Sequence, residues 1–106
     1  MSSQEKKLKL VKLVYDGSQK GKVTWEVTAS SEAFQASFPS YFVGIQKDEQ
    51  DYHLDIMNEA GEVVERVSNS ANFLPPHILQ NIYELARSKA MKSDEAIDDL
   101  IDLLSI

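Results

Sequence analysis

Few side chains in this sequence could do chemistry, and they gather around one short segment. His53 and Asp55 stand two residues apart in Asp51-Tyr52-His53-Leu54-Asp55-Ile56-Met57, a spacing that puts both on one face of a strand. Glu26 and Arg66 share that face in other strand segments, completing a set able to move a proton or hold a small ligand. A metal on His53 and Asp55 would need further ligands that no nearby spacing supplies. His77 follows Pro75-Pro76, where it fits a solvated first turn of a helix. None of these residues implies a cofactor.

The common catalytic motifs are absent: no G-x-S-x-G, no Walker A, no G-x-G-x-x-G and no H-E-x-x-H. The chain also has no cysteine. That excludes disulfides, thiol catalysis, iron–sulfur ligation and thiolate zinc sites, and it suits a reducing cytoplasm.

The elements that must position these side chains belong to one domain spanning residues 1–106. Apolar residues make up 42% and charged residues 26% of the chain, the balance of an ordinary globular domain rather than a disordered or fibrous one. Residues 3–20 place Leu8, Leu10, Val11, Leu13, Val14 and Tyr15 on one broad arc at helical spacing. Ser2 and Glu5 have capping-box spacing, Gly21 suits a left-handed position past the helix end, and Gly17 is an earlier candidate stop.

From Lys22 to Ser68 the period changes to two, with Val23, Trp25 and Val27, then Phe34, Ala36 and Phe38, alternating against polar residues. Trp25 reads as core. Pro39-Ser40, Asp48-Glu49-Gln50 and Asn58-Glu59-Ala60-Gly61 separate further strands at Tyr41 to Lys47, Asp51 to Met57 and Glu62 to Ser68. Such short connections hold no crossover helices, which predicts a five-stranded antiparallel meander. A helix from about His77 to Ala90 turns Ile78, Leu79, Ile82, Tyr83, Leu85 and Ala86 inward. Ser93 is placed to cap a last helix with Ala96, Ile97, Leu100, Ile101, Leu103 and Leu104 as its inward stripe. The expected fold is α+β: an N-terminal helix, the meander, and two C-terminal helices packed on one sheet face.

Three helices with one apolar stripe each are all satisfied by that face, so the other face of the sheet stays open. Its parity gives Phe42, Met57 and Val64 as an apolar group, with Glu26, His53 and Arg66 as a polar rim. Antiparallel sheets often leave one face to solvent. Contiguous apolar groups on such a face mark protein contacts, and the expected function is accordingly that of a small accessory protein binding another chain or its own copy. The alternative is a small-molecule binder or minor enzyme with its site around His53.

Charge is segregated along the chain. Residues 1–22 carry six lysines against Glu5 and Asp16, net +4, while residues 23–106 carry five bases against fifteen acids, net −10, for a total of −6. An acidic balance argues against phosphate-backbone binding, and Tyr41, Phe42 and Tyr52 lack the interleaved bases of a nucleic-acid platform. Lys6, Lys9 and Lys12 on the first helix, and the acids of the last helix, read as solvated faces able to steer an oppositely charged partner. The early apolar run from Leu8 to Tyr15 is broken by Lys9 and Lys12, so neither a targeting segment nor a membrane span is expected.

Gly21-Lys22-Val23-x-Trp25-Glu26-x-Thr28, Phe34-x-Ala36, Tyr83-x-x-Ala86-Arg87 and Asp94-x-x-Ile97-Asp98-x-Leu100 together resemble a group of short bacterial proteins catalogued as hypothetical. The resemblance covers most of the chain, at positions that shape the fold. It implies a cytoplasmic bacterial α+β domain in the order helix, sheet, two helices, and it implies no activity and no catalytic residue.

Overall fold

In the computed structural model, which describes residues 3–49 and 51–105, helix α1 (Ser3–Gln19) leads into five strands and two further helices. The strands are β1 (Glu26–Val27), β2 (Ala33–Phe38), β3 (Tyr41–Asp48), β4 (Asp51–Asn58) and β5 (Val63–Ser68); the helices are α2 (Ile78–Ala90) and α3 (Ser93–Leu104). The strands pair antiparallel in the order β1-β2-β3-β4-β5. This is the expected α+β class and element order. The capping role assigned to Ser2 lies outside the described residues.

Local chemistry sets the turns. Ser40 and Glu49 adopt positive φ (67° and 54°) at the tips of the β2–β3 and β3–β4 hairpins. At the β4–β5 turn, Asn58 Oδ1 accepts the N–H groups of Ala60 and Glu62, both at 3.0 Å, the Asx geometry that makes asparagine a turn residue. Gly61 completes it at φ 82°.

The end of α1 is built differently from the expectation for Gly17. The helix runs past Gly17 to Gln19, and the reversal comes at Gly21, whose φ of 75° is open to glycine. Gly17 instead accepts the returning chain: its carbonyl takes the N–H groups of Lys22 (2.8 Å) and Val23 (3.3 Å). That turn delivers Trp25 to the core, 4% exposed, with its indole N–H donated to the buried Ser18 Oγ at 2.9 Å. The expected Val23, Trp25 and Val27 strand is corrected on two points. Only Glu26 and Val27 pair, and Val27 is 60% exposed, because β1 is a two-residue edge with nothing beyond it.

The core face of the sheet is a row of Phe34, Ile45, Leu54 and Val67, one residue from each of β2 to β5, all buried. Helix α2 covers this row with Ile78, Leu79, Ile82, Tyr83 and Ala86. The Tyr83 ring packs tilted against Phe34 and Tyr52 at centroid distances of 5.6 and 5.4 Å, and its hydroxyl donates to Glu32 Oε2 at 3.0 Å. Burial, reinforced by the Glu32 carboxylate, pushes the Tyr83 phenol up to about 12. His77, exposed, stands just before α2 in a left-handed conformation.

Helix α3 overturns its expected packing. No α3 residue is buried: Leu100 is 55% and Leu104 82% exposed, and Ala96, Ile97, Ile101 and Leu103 are exposed with them. Its main neighbour is α2, not the sheet. The cause is the connection. Met91 and Lys92 are the only residues between the helices, and Lys92 takes the N-cap in a left-handed conformation (φ 55°) without a side-chain cap, leaving Ser93 as the first helical residue rather than the cap. This turn sends α3 outward, giving a molecule of 58 × 31 × 27 Å with a radius of gyration of 15.1 Å, against about 13 Å for a compact chain of this length.

Candidate interaction site

The open sheet face places the residues singled out from the sequence in three cross-strand rows. The middle row runs Glu26, Gln35, Gly44, Asp55, Arg66 from β1 to β5. Arg66 grips the buried Asp55 with a two-pronged contact, Nε to Oδ1 at 2.7 Å and the second terminal nitrogen to Oδ2 at 3.1 Å. That contact holds the Arg66 guanidinium above its ordinary range. On one side of this row His53 pairs with Ser68, Nδ1 to Oγ at 3.1 Å; on the other, Phe42 pairs with Met57. Glu26 stands four strands from Arg66, roughly 19 Å at ordinary strand spacing, so Glu26, His53, Asp55 and Arg66 do not meet at one point. Among the described residues no three His, Asp or Glu side chains are grouped to hold a metal ion.

Phe42 and Met57 are half-buried, because the face closes over itself at Gly44. A Cβ on Gly44 would stand 3.0 Å from Met57 Cε, so the missing side chain makes room for the methionine to lie across the sheet. Val64 is the extra residue at a β-bulge opposite Ile56 and Met57, and it is exposed. The structure thus brings Phe42 and Met57 together beside Val63 and Val64, with Arg66 one row away and Glu26 at the far edge.

A second apolar surface lies on the opposite side, where the core face runs out from under α2. There α1 crosses the sheet, pinned at one end by Lys7 Nζ to Glu65 Oε1 at 2.9 Å, a contact that lowers the Glu65 carboxyl from its ordinary value. Between helix and sheet is an open groove of about 440 Å³. Leu10, Leu13 and Val14 of α1 form one wall, Val23 its end, and Phe38, Tyr41, Val43 and Ile56 its floor. Leu13 is 58% exposed, and Phe38 and Tyr41 are exposed beside it, whereas sequence spacing had Leu13 and Phe38 facing inward.

The groove and α3 are two halves of one departure from the expected fold. The core face is wider than two helices cover, and the helix expected to cover the remainder points away. Sequence reasoning missed Leu13, Phe38 and Tyr41 as surface residues. The available signals were Lys9 and Lys12, four residues and one residue before Leu13, and the position of Phe38 and Tyr41 at the hairpin tip around Pro39-Ser40.

Among the described residues no helix is long and apolar enough to cross a membrane. Comparison with protein-family models, with curated proteins and with solved structures gives no match in any of the three.

Proposed function

We propose that this protein is a small, non-enzymatic accessory protein that works by binding another protein chain, receiving an amphipathic helix in the groove between α1 and the sheet. The observation that carries this reading is the lining of the groove: eight apolar residues from α1, the α1–β1 connection and the sheet, with no acid, base or amide among them. Catalytic and small-molecule sites combine apolar walls with a few convergent polar groups, and here the polar candidates are on the other face, with Asp55 held by Arg66, His53 paired with Ser68 and Glu26 on the distant edge strand. Helix-in-groove recognition needs only an apolar trough and a charged margin. Lys6, Lys9 and Lys12, exposed on α1, supply a basic margin suited to an acidic partner helix. A cytoplasmic, bacterial setting belongs to the same proposal, supported by the cysteine-free composition and the resemblance of the motifs quoted above.

The test is affinity purification from cells with mass spectrometry, run in parallel on the native chain and on Leu13→Asp. Leu13 is exposed, so the variant is expected to keep its circular dichroism spectrum while placing a charge in the groove. Partners retained by the native chain and lost by Leu13→Asp support the reading. Identical sets of bound proteins on both would reject the groove as the working surface.

A further inference from the structure

Each of the two apolar surfaces left without cover has the chemistry the other lacks. On α3, Ile97, Leu100, Ile101 and Leu104 follow i, i+3, i+4, i+7 spacing, while Glu95, Asp98, Asp99 and Asp102 follow the same spacing on the opposite side. Five acids and no base lie in this helix. On α1, Lys6 and Lys9 stand seven and four residues before Leu13, on the same helical face, in a segment of net charge +4.

Resting on the groove reading above, we infer that the occupant of the groove is α3 of a second copy of this chain, exchanged reciprocally about a two-fold axis. The chain's own α3 does not fill the groove: none of its residues lines it, none is buried, and its main neighbour is α2. That placement leaves α3 accessible to another copy. Its apolar stripe spans about 10 Å from Ile97 to Leu104 at helical rise, short enough to lie in the groove; the acids then face outward, and the five negative charges of α3 complement the net +4 of residues 1–22 across the contact. Exposed apolar groups that lie together mark interaction surfaces, and both the α3 stripe and the groove present them: Ile97, Leu100, Ile101 and Leu104 on one, Leu13, Phe38 and Tyr41 on the other. A single helix-in-groove contact of this length is small. A two-fold axis makes it twice, toward the roughly 1,200–2,000 Å² of a specific complex, without requiring any further surface.

Sedimentation velocity between about 1 and about 200 μM tests this, since that range brackets micromolar self-association. The native chain is expected to move from one to two chain masses as concentration rises. Leu100→Asp/Leu104→Asp, altered only on the exposed stripe, is expected to remain one chain mass throughout, as is Leu13→Asp. Mixing those two variants is expected to restore a complex of two chains, because one brings an intact groove and the other an intact α3. The complex should be at least about tenfold weaker than the native one, having one contact instead of two. Lys6→Glu/Lys9→Glu, which leaves the apolar lining untouched, is expected to weaken native self-association by about tenfold. A native chain that stays monomeric at the highest concentration, variants that still pair, or a mixture that does not associate would each overturn the exchange. If the native chain is monomeric and Leu13→Asp nonetheless loses a cellular partner, the exchange falls and the groove reading stands; if Leu13→Asp loses no partner either, both fall.

Discussion

Helices α2 and α3 are separated by two residues and carry the same pattern, Leu79, Ile82, Tyr83 and Ala86 on one and Ile97, Leu100, Ile101 and Leu104 on the other, each at i, i+3, i+4, i+7. Ile82 is wholly buried and Leu104 is 82% exposed. The difference is not in the apolar stripe. Helix α2 has a chemical anchor, the Tyr83 hydroxyl on Glu32 and its ring between Phe34 and Tyr52, and it follows a loop long enough to lay it across the sheet. Among the described residues helix α3 has no such anchor, and it inherits its direction from Lys92 in a left-handed turn. Amphipathicity shows that a helix has a face to cover, while the connection before it decides whether its own core does the covering.

Substitutions along the buried side should cost the most. Trp25→Ala is expected to destabilise the fold by about 3–5 kcal/mol, since it removes a large buried ring and strands the Ser18 hydroxyl that the indole serves. A cost below about 1 kcal/mol in urea melts would mean that α1 is not held to the sheet through Trp25. Ile82→Ala is expected to cost about 2–5 kcal/mol by opening a cavity beneath α2, and a near-neutral result would erase the contrast with α3. On the open sheet face Arg66→Ala should cost about 1 kcal/mol, because the buried Asp55 loses its fork while Arg66 itself is half in water.

The α2 anchor also has a pH signature. The Tyr83 phenol lies higher in the folded protein, about 12, than the value near 10 of an unfolded chain. Below pH ~10 it is protonated in both states and adds no pH dependence. Between ~10 and ~12 the unfolded chain gives up the proton that the native chain keeps, so stability falls as pH rises through that window. Tyr83→Phe should lack this component, so its thermal melts should lose less than those of the native chain over the same interval. Equal losses would place Tyr83 outside the anchor.

Much of this architecture is legible in the sequence because it is written in local chemistry. Alternation from Phe34 to Ser68 and the turns at Pro39-Ser40 and Asn58-Glu59-Ala60-Gly61 specify the meander, and the apolar periods specify all three helices. The placement of α3 depends on one left-handed residue, Lys92, a conformation that lysine rarely adopts and that periodicity does not report. The groove is illegible for a related reason. Leu13, Phe38 and Tyr41 have core-like identities, and only the absence of a helix above them makes them surface. His53, Asp55, Glu26 and Arg66 share the expected face, but parity fixes a side of the sheet and says nothing of the three strands that separate Glu26 from Arg66.

The claim that the α3 stripe lies outside the folding core is tested most directly by the stability of Leu100→Asp/Leu104→Asp, measured by urea unfolding at a dilution where both chains sediment as monomers. Two charges on an exposed helix face should shift the unfolding free energy by no more than about 0.5 kcal/mol each, with the dependence on urea unchanged. A loss of several kcal/mol in the monomer would show that this stripe is buried against its own sheet, and would contradict the account.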